Sequence, residues 1–72
     1  MKDDRRFQIE AMLMKIMKDR KSLTYGLLIE ALMAKVNFPL DMGLVKQRIE
    51  SLIEKDYIKR NVQDANVYEY IA

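Results

Sequence analysis

The hydrophobic period of this chain changes once, after Asp56, and that change restricts its fold more than any other feature. Before it, apolar residues recur at helical spacing in three stretches. After it, Tyr57 to Asn61 and Val67 to Ile71 are rich in aromatic and β-branched residues and flank Gln63, Asp64, Ala65 and Asn66, the pattern of a hairpin. The first helix is expected from about Arg5 to Lys21, with Ile9, Met12, Leu13 and Ile16 at i, i+3, i+4 and i+7. Asp3 and Asp4 before it and Arg20 and Lys21 at its end complement the helix dipole. Ser22, Leu23 and Thr24 suit a short extended piece, and Thr24 or Ser22 can cap a second helix with Leu28, Ala31, Leu32 and Val36 as its buried stripe. Pro39 lacks an amide hydrogen and forces its predecessor out of helical geometry, so Asn37 to Leu40 must be a connection. Asp41 is a good cap for a third helix that runs to about Lys55 behind Val45, Ile49, Leu52 and Ile53, with Gly43 weakening only its first turn. Residues 1–4 are expected to be disordered and 5–72 to form one α+β domain. Its architecture is a small winged helix-turn-helix: three helices, then a C-terminal β-hairpin wing.

A chain of 72 residues buries only about 60 to 65% of the surface its extended form exposes, and it has neither cysteine nor histidine. Disulfides and thiolate or imidazole metal sites are therefore excluded, no cofactor is expected, and packing alone must hold the core. Of the methionines, Met12 and Met33 are expected to fill gaps beside buried stripes, with Met14 and Met17 toward the edges of the first helix. Tyr68 and Tyr70 alternate onto one side of the last strand and are expected to cover the end of the core with their hydroxyls wet. No apolar run approaches the ~20 residues a bilayer span needs, and the first residues are too polar for a secretory signal. A reducing intracellular setting without membrane contact is expected.

Net charge is +2, from 13 basic and 11 acidic side chains, so the basic character is local. Lys15, Lys18 and Lys21 recur at intervals of three on the first helix. At ~100° per residue, Lys18 lies about 180° around from Ile9, about 140° from Leu13 and about 200° from Ile16, and so points to solvent when those three point inward. An exposed lysine amine crowded by like charges is a reasonable acyl acceptor. Catalysis is disfavoured: without His or Cys, a nucleophile and its base would have to come from Ser, Thr, Lys and carboxylates in a domain too small for a deep pocket. The Glu50 and Glu54 pair, one helical turn apart, is what any amphipathic helix yields. The alternative is a winged-helix DNA-binding domain using the third helix, about residues 42–54. Its charges Lys46, Arg48, Glu50 and Glu54 cancel, and the wing tip from Val62 to Asn66 offers only Asp64. Lys46, Arg48, Lys59 and Arg60 remain the one small patch that could meet phosphates.

The run Ile16-Met17-Lys18-Asp19-Arg20-Lys21, the block from Val45 to Arg60 and the ending Tyr68-Glu69-Tyr70-Ile71-Ala72 together resemble the extreme C-terminal domain of the cullins, from roughly Asp4 to Ala72. Cullins are non-catalytic scaffolds of multisubunit ubiquitin ligases. The resemblance implies an excised module of a larger protein that receives the ubiquitin-like modifier of the neddylation pathway, by an isopeptide bond, on the lysine at position 18 of this sequence. Lys15, Arg20 and Lys21 would steer the conjugating machinery. Implied partners are the modifier, its conjugating enzyme, a RING-box protein, the signalosome isopeptidase, a cullin exchange factor and the rest of the cullin chain, in cytoplasm and nucleus. Tyr25 stands where many relatives carry histidine, the connection before Phe38 looks short, and Gln47 replaces an often basic residue. These departures bear on surface contacts and partner preference more than on the acceptor strip.

Overall fold

A stripe of aliphatic side chains on each of three helices meets at one seam, and a small sheet closes the end of that seam. The computed structural model describes residues 2–71. Its elements in order are α1 (Lys2–Arg20), β1 (Ser22–Thr24), α2 (Tyr25–Lys35), α3 (Met42–Glu54), β2 (Ile58–Arg60) and β3 (Val67–Tyr70). The core consists of Ile9, Leu13, Ile16 and Met17 of α1, Leu28 and Leu32 of α2, and Val45, Ile49 and Leu52 of α3, roofed by Leu23, Ile58 and Tyr68 from the strands. The α+β winged-helix expectation is met.

Helix α1 begins at Lys2, three residues before the expected start, because nothing in Lys2 to Asp4 breaks helical geometry. Residues 2–4, expected to be disordered, lie at the start of this helix, and Met1 lies outside the described residues. Two methionines also differ from expectation. Met17 is fully buried, since it stands four residues after Leu13 and within about 40° of it on the helix. Met33 is 60% exposed, lying about 100° around from Leu32. Val36, expected in the buried stripe of α2, is instead its half-buried C-terminal cap, extended at φ −99° and ψ 153°.

The helix ends follow local chemistry. Thr24 caps α2 by accepting the Leu27 amide at 3.2 Å, and Ser22 is left to the sheet. Asp41 Oδ1 accepts from the amides of Gly43 at 3.0 Å and Leu44 at 3.4 Å. A Cβ on residue 43 would stand 3.3 Å from that same oxygen, so glycine there leaves room for the cap. Helix α3 closes on Asp56 in the left-handed region, φ 63°, with the Asp56 amide donating to the Ile53 carbonyl and the Tyr57 amide to that of Leu52, each at 3.0 Å. These are the two bonds of a Schellman cap.

Strand β3 is central, and β1 and β2 flank it antiparallel in the order β1-β3-β2. The short extended piece between the first two helices is thus a third strand of the wing sheet. Register pairs Leu23 with Tyr68 and Ser22 with Glu69 on one side, and Arg60 with Tyr68 and Lys59 with Glu69 on the other. With a period of two, Leu23, Tyr68 and Ile58 face the core, while Ser22, Glu69 and Lys59 form a row on the outer face. Between β2 and β3, Asn61 Oδ1 accepts the amides of Gln63 at 2.8 Å and Asp64 at 3.1 Å, and Asp64 Oδ1 accepts that of Asn66 at 3.0 Å.

Ile49 is 1% exposed at the meeting of the helices, so Ile49→Ala should cost about 2 to 5 kcal/mol through the cavity it leaves, measured by chemical denaturation followed by circular dichroism. Asp41→Ala should cost about 1 kcal/mol, and Asp41→Asn, which keeps the accepting oxygen, much less.

Candidate functional site

The exposed back of α1 holds the candidate site. Ile9, Leu13, Ile16 and Met17 are no more than 3% exposed, and with that stripe turned inward Lys15, Lys18, Asp19 and Arg20 all emerge at the surface. A shallow groove of about 450 Å³ runs between the end of α1 and α2, floored by Ile16 and Ala31 and rimmed by Lys15, Lys18, Asp19, Arg20, Lys21 and Lys35. Five cations thus surround one carboxylate. Asp19 neutralises little of this, since its 3.8 Å contact with Arg20 joins side chains that are 81% and 63% exposed, where such pairs are weak. What the arrangement offers chemically is solvated primary amines in a positive field, suited to an anionic partner surface. Among the described residues no group of three or more His, Cys, Asp or Glu could hold a metal ion.

Two rim residues differ from the sequence expectation. Lys21 is not on the helical strip with Lys15 and Lys18: α1 ends at Arg20, and Lys21 adopts φ 70° while its amide donates to the Met17 carbonyl at 2.7 Å. Its own carbonyl accepts the Tyr70 amide at 2.8 Å, and its Nζ stands 4.9 Å from the centre of the Tyr70 ring. Lys21 therefore ties the end of α1 to the last strand. Lys35 was not among the expected site residues. It lies in the last turn of α2, and only the packing of α2 on α1 brings it to the groove.

The surface of α3 and the wing is differently organised. Arg48 bonds Glu10 of α1 at 2.6 Å, with Lys55 at 4.0 Å from the same carboxylate. Lys59 pairs with Glu69 at 3.8 Å, and Arg60 pairs with Glu50 and lies with its guanidinium carbon 5.7 Å from the Tyr68 ring centre. The Glu50 hydrogen bond holds Arg60 above its ordinary pKa against desolvation. Desolvation, by contrast, raises the pKa of the Tyr68 hydroxyl, with Arg60 opposing it. Three of the four cations in the expected phosphate-binding patch are thus engaged by carboxylates of this chain.

The family model described as the cullin protein neddylation domain matches residues 4–64. Cullin-4A of Homo sapiens is 45% identical over 69 residues, which is 96% of this chain and 9% of that protein. Cullin-3 of Dictyostelium discoideum is 42% identical over 72 residues, 97% of this chain and 9% of its own length. The chain spans less than a tenth of each of these two relatives. A solved structure described as "A Dual E3 Mechanism for Rub1 Ligation to Cdc53: Dcn1(P)-Cdc53(WHB)" contains a similar chain. The TM-score is 0.89 and the identity 30%, covering 97% of this chain and 83% of that one.

The left-handed backbone at Lys21 predicts an unusual substitution pattern. Lys21→Val should destabilise by about 1 to 3 kcal/mol, because a β-branched residue is strained at this φ. Lys21→Gly should stay within about 1 kcal/mol of the parent, as relief of strain offsets the lost contact with Tyr70. Denaturant midpoints of the two variants check this.

Proposed function

The chain belongs to the cullin family, as its neddylation domain, and on that footing we propose that Lys18 accepts a ubiquitin-like modifier through an isopeptide bond. The observation that carries this reading is the exposure of Lys18 on the basic rim of α1, directly behind a stripe whose burial leaves the helix no other orientation. The run Ile16-Met17-Lys18-Asp19-Arg20-Lys21 falls within the matched residues 4–64, and its resemblance to the family's acceptor motif supports Lys18. The similar Cdc53 domain, described in the setting of Rub1 ligation with Dcn1, supports the same class of reaction here.

The chemistry asks little of this chain beyond access. Lysine amines in water are mostly protonated near neutrality, so the conjugating enzyme must remove a proton before attack. The nitrogen lone pair then adds to the thioester carbonyl that links the modifier to the enzyme. As the carbon–sulfur bond breaks, the thiolate leaves and the isopeptide bond remains. Lys15, Arg20, Lys21 and Lys35 raise the local concentration of an acidic partner surface, an effect that weakens with salt. Lys21 also has its structural role at the end of α1.

The wider assignment follows the family. The domain ends a non-catalytic scaffold that places a RING-box protein and its ubiquitin-conjugating enzyme opposite substrate receptors, in cytoplasm and nucleus. Attachment of the modifier loosens the winged helix and the RING-box domain from the scaffold and so activates the ligase. A signalosome isopeptidase reverses it, and an exchange factor binds the unmodified form. The DNA-binding alternative is disfavoured, because Arg48, Lys59 and Arg60 are matched by Glu10, Glu69 and Glu50.

In a reconstituted reaction with the full cullin and its RING-box protein, Lys18→Arg should abolish attachment while leaving the circular dichroism spectrum unchanged. Mass spectrometry of the wild-type product should find the branched peptide at Lys18; undiminished conjugation in the variant would refute the assignment. Fluorescence anisotropy with random duplex DNA at physiological salt should show no micromolar binding.

A further inference from the structure

We propose that Ser22 is a phosphorylation site for a protein kinase that selects basic substrates, and that phosphate there slows attachment of the modifier to Lys18. The regulatory half of this rests on the acceptor reading of Lys18.

The first support is access. Ser22 is exposed and opens β1, a strand of only 3 residues at the edge of the sheet, paired on one side alone. A short edge strand peels away at lower cost than a central one, so the segment can present itself extended to an enzyme. The second is charge. Lys18, Arg20 and Lys21 all precede the hydroxyl within four positions, and kinases of this class discriminate by such cations. In the transfer, Ser22 Oγ attacks the γ-phosphorus of ATP and the bond to the bridging oxygen of the β-phosphate breaks. The hydroxyl proton passes to the kinase's catalytic carboxylate and ADP leaves.

The third support is consequence. Ser22 lies directly opposite Glu69 in the β1–β3 register, so their side chains leave the same, outer face of the sheet. The Glu69 carboxylate is held there by Asn61 Nδ2 at 2.7 Å and Lys59 at 3.8 Å. A phosphate of charge about −2 on Ser22 would face a carboxylate that cannot swing away without losing those bonds. Repulsion across the pair strains the ladder that carries the Tyr70 amide to the Lys21 carbonyl. Ser22 also follows the rim residue Lys21 immediately, so the phosphate falls within about a Debye length of the groove and offsets roughly half of its net positive charge. An acidic conjugating partner then meets a weaker field.

The test uses the full-length cullin bound to its RING-box protein, treated with ATP and a kinase selective for basic substrates. Phosphate should map to Ser22 by mass spectrometry and vanish in Ser22→Ala. Attachment to Lys18 should then run roughly five- to tenfold slower for the phosphorylated protein at low salt, with the gap narrowing as salt rises. Ser22→Ala treated with the same kinase should react at the untreated wild-type rate. Hydrogen exchange at the β1–β3 amides should speed up on phosphorylation, and Glu69→Gln should remove most of that increase. Phosphate absent from Ser22, or an unchanged rate of attachment once it is present, overturns the proposal. If the untreated protein does not take the modifier on Lys18, the acceptor reading itself falls, and the regulation built on it falls too; that result appears in the untreated arm alone.

Discussion

Helix α1 is held by four side chains, Ile9, Leu13, Ile16 and Met17, whose burial fixes its rotation about its own axis. Rotating the helix by even one residue's worth, about 100°, would lift this stripe into water at a cost of roughly 1.5 to 3 kcal/mol for each large side chain. No exposed ion pair could compensate for that. The position of Lys18 is therefore a by-product of core packing. Lys18 is thereby mounted on a rigid helix at the surface, and the rigidity comes from residues on the opposite face.

The basic rim assembles around that helix from three sources. Lys15, Lys18 and Arg20 belong to α1, Lys35 comes from α2, and Lys21 sits at the left-handed residue where the chain turns into β1. That turn is bonded to Tyr70 of the last strand. The end of α1 and strand β3 are consequently one mechanical unit, and a perturbation of the small sheet reaches the basic rim through a single residue. A net charge of +2 conceals this concentration of cations, since carboxylates elsewhere balance the total.

The winged-helix architecture is compatible with DNA binding, but three of the four cations on the relevant surface are paired within the chain. Arg48 crosses to Glu10 and joins α3 to α1 between side chains only 22% and 19% exposed. Arg60 and Lys59 do similar work within the sheet and its contact with α3. Fold does not fix function here: the same helices and wing carry their free cations behind α1 instead of along α3.

Hydrophobic spacing and cap chemistry act over a few residues, which is why the sequence alone determined the three helices, the cap at Asp41, the hairpin and the outward direction of Lys18, while the choice of Thr24 over Ser22 as the cap of α2 came from the fold. A stripe repeated along a single helix needs no partner to be recognised. Where the outcome depended on a neighbouring element, the sequence was insufficient. Lys35 entered the site only through the approach of α2 to α1, and Ser22 met Glu69 only through the register of two strands 47 positions apart in the chain. Lys21 left the helical strip because pairing with β3 drew the chain out of the helix. Those arrangements are set by long-range packing and strand pairing, which the order of residues implies but only the folded chain makes explicit.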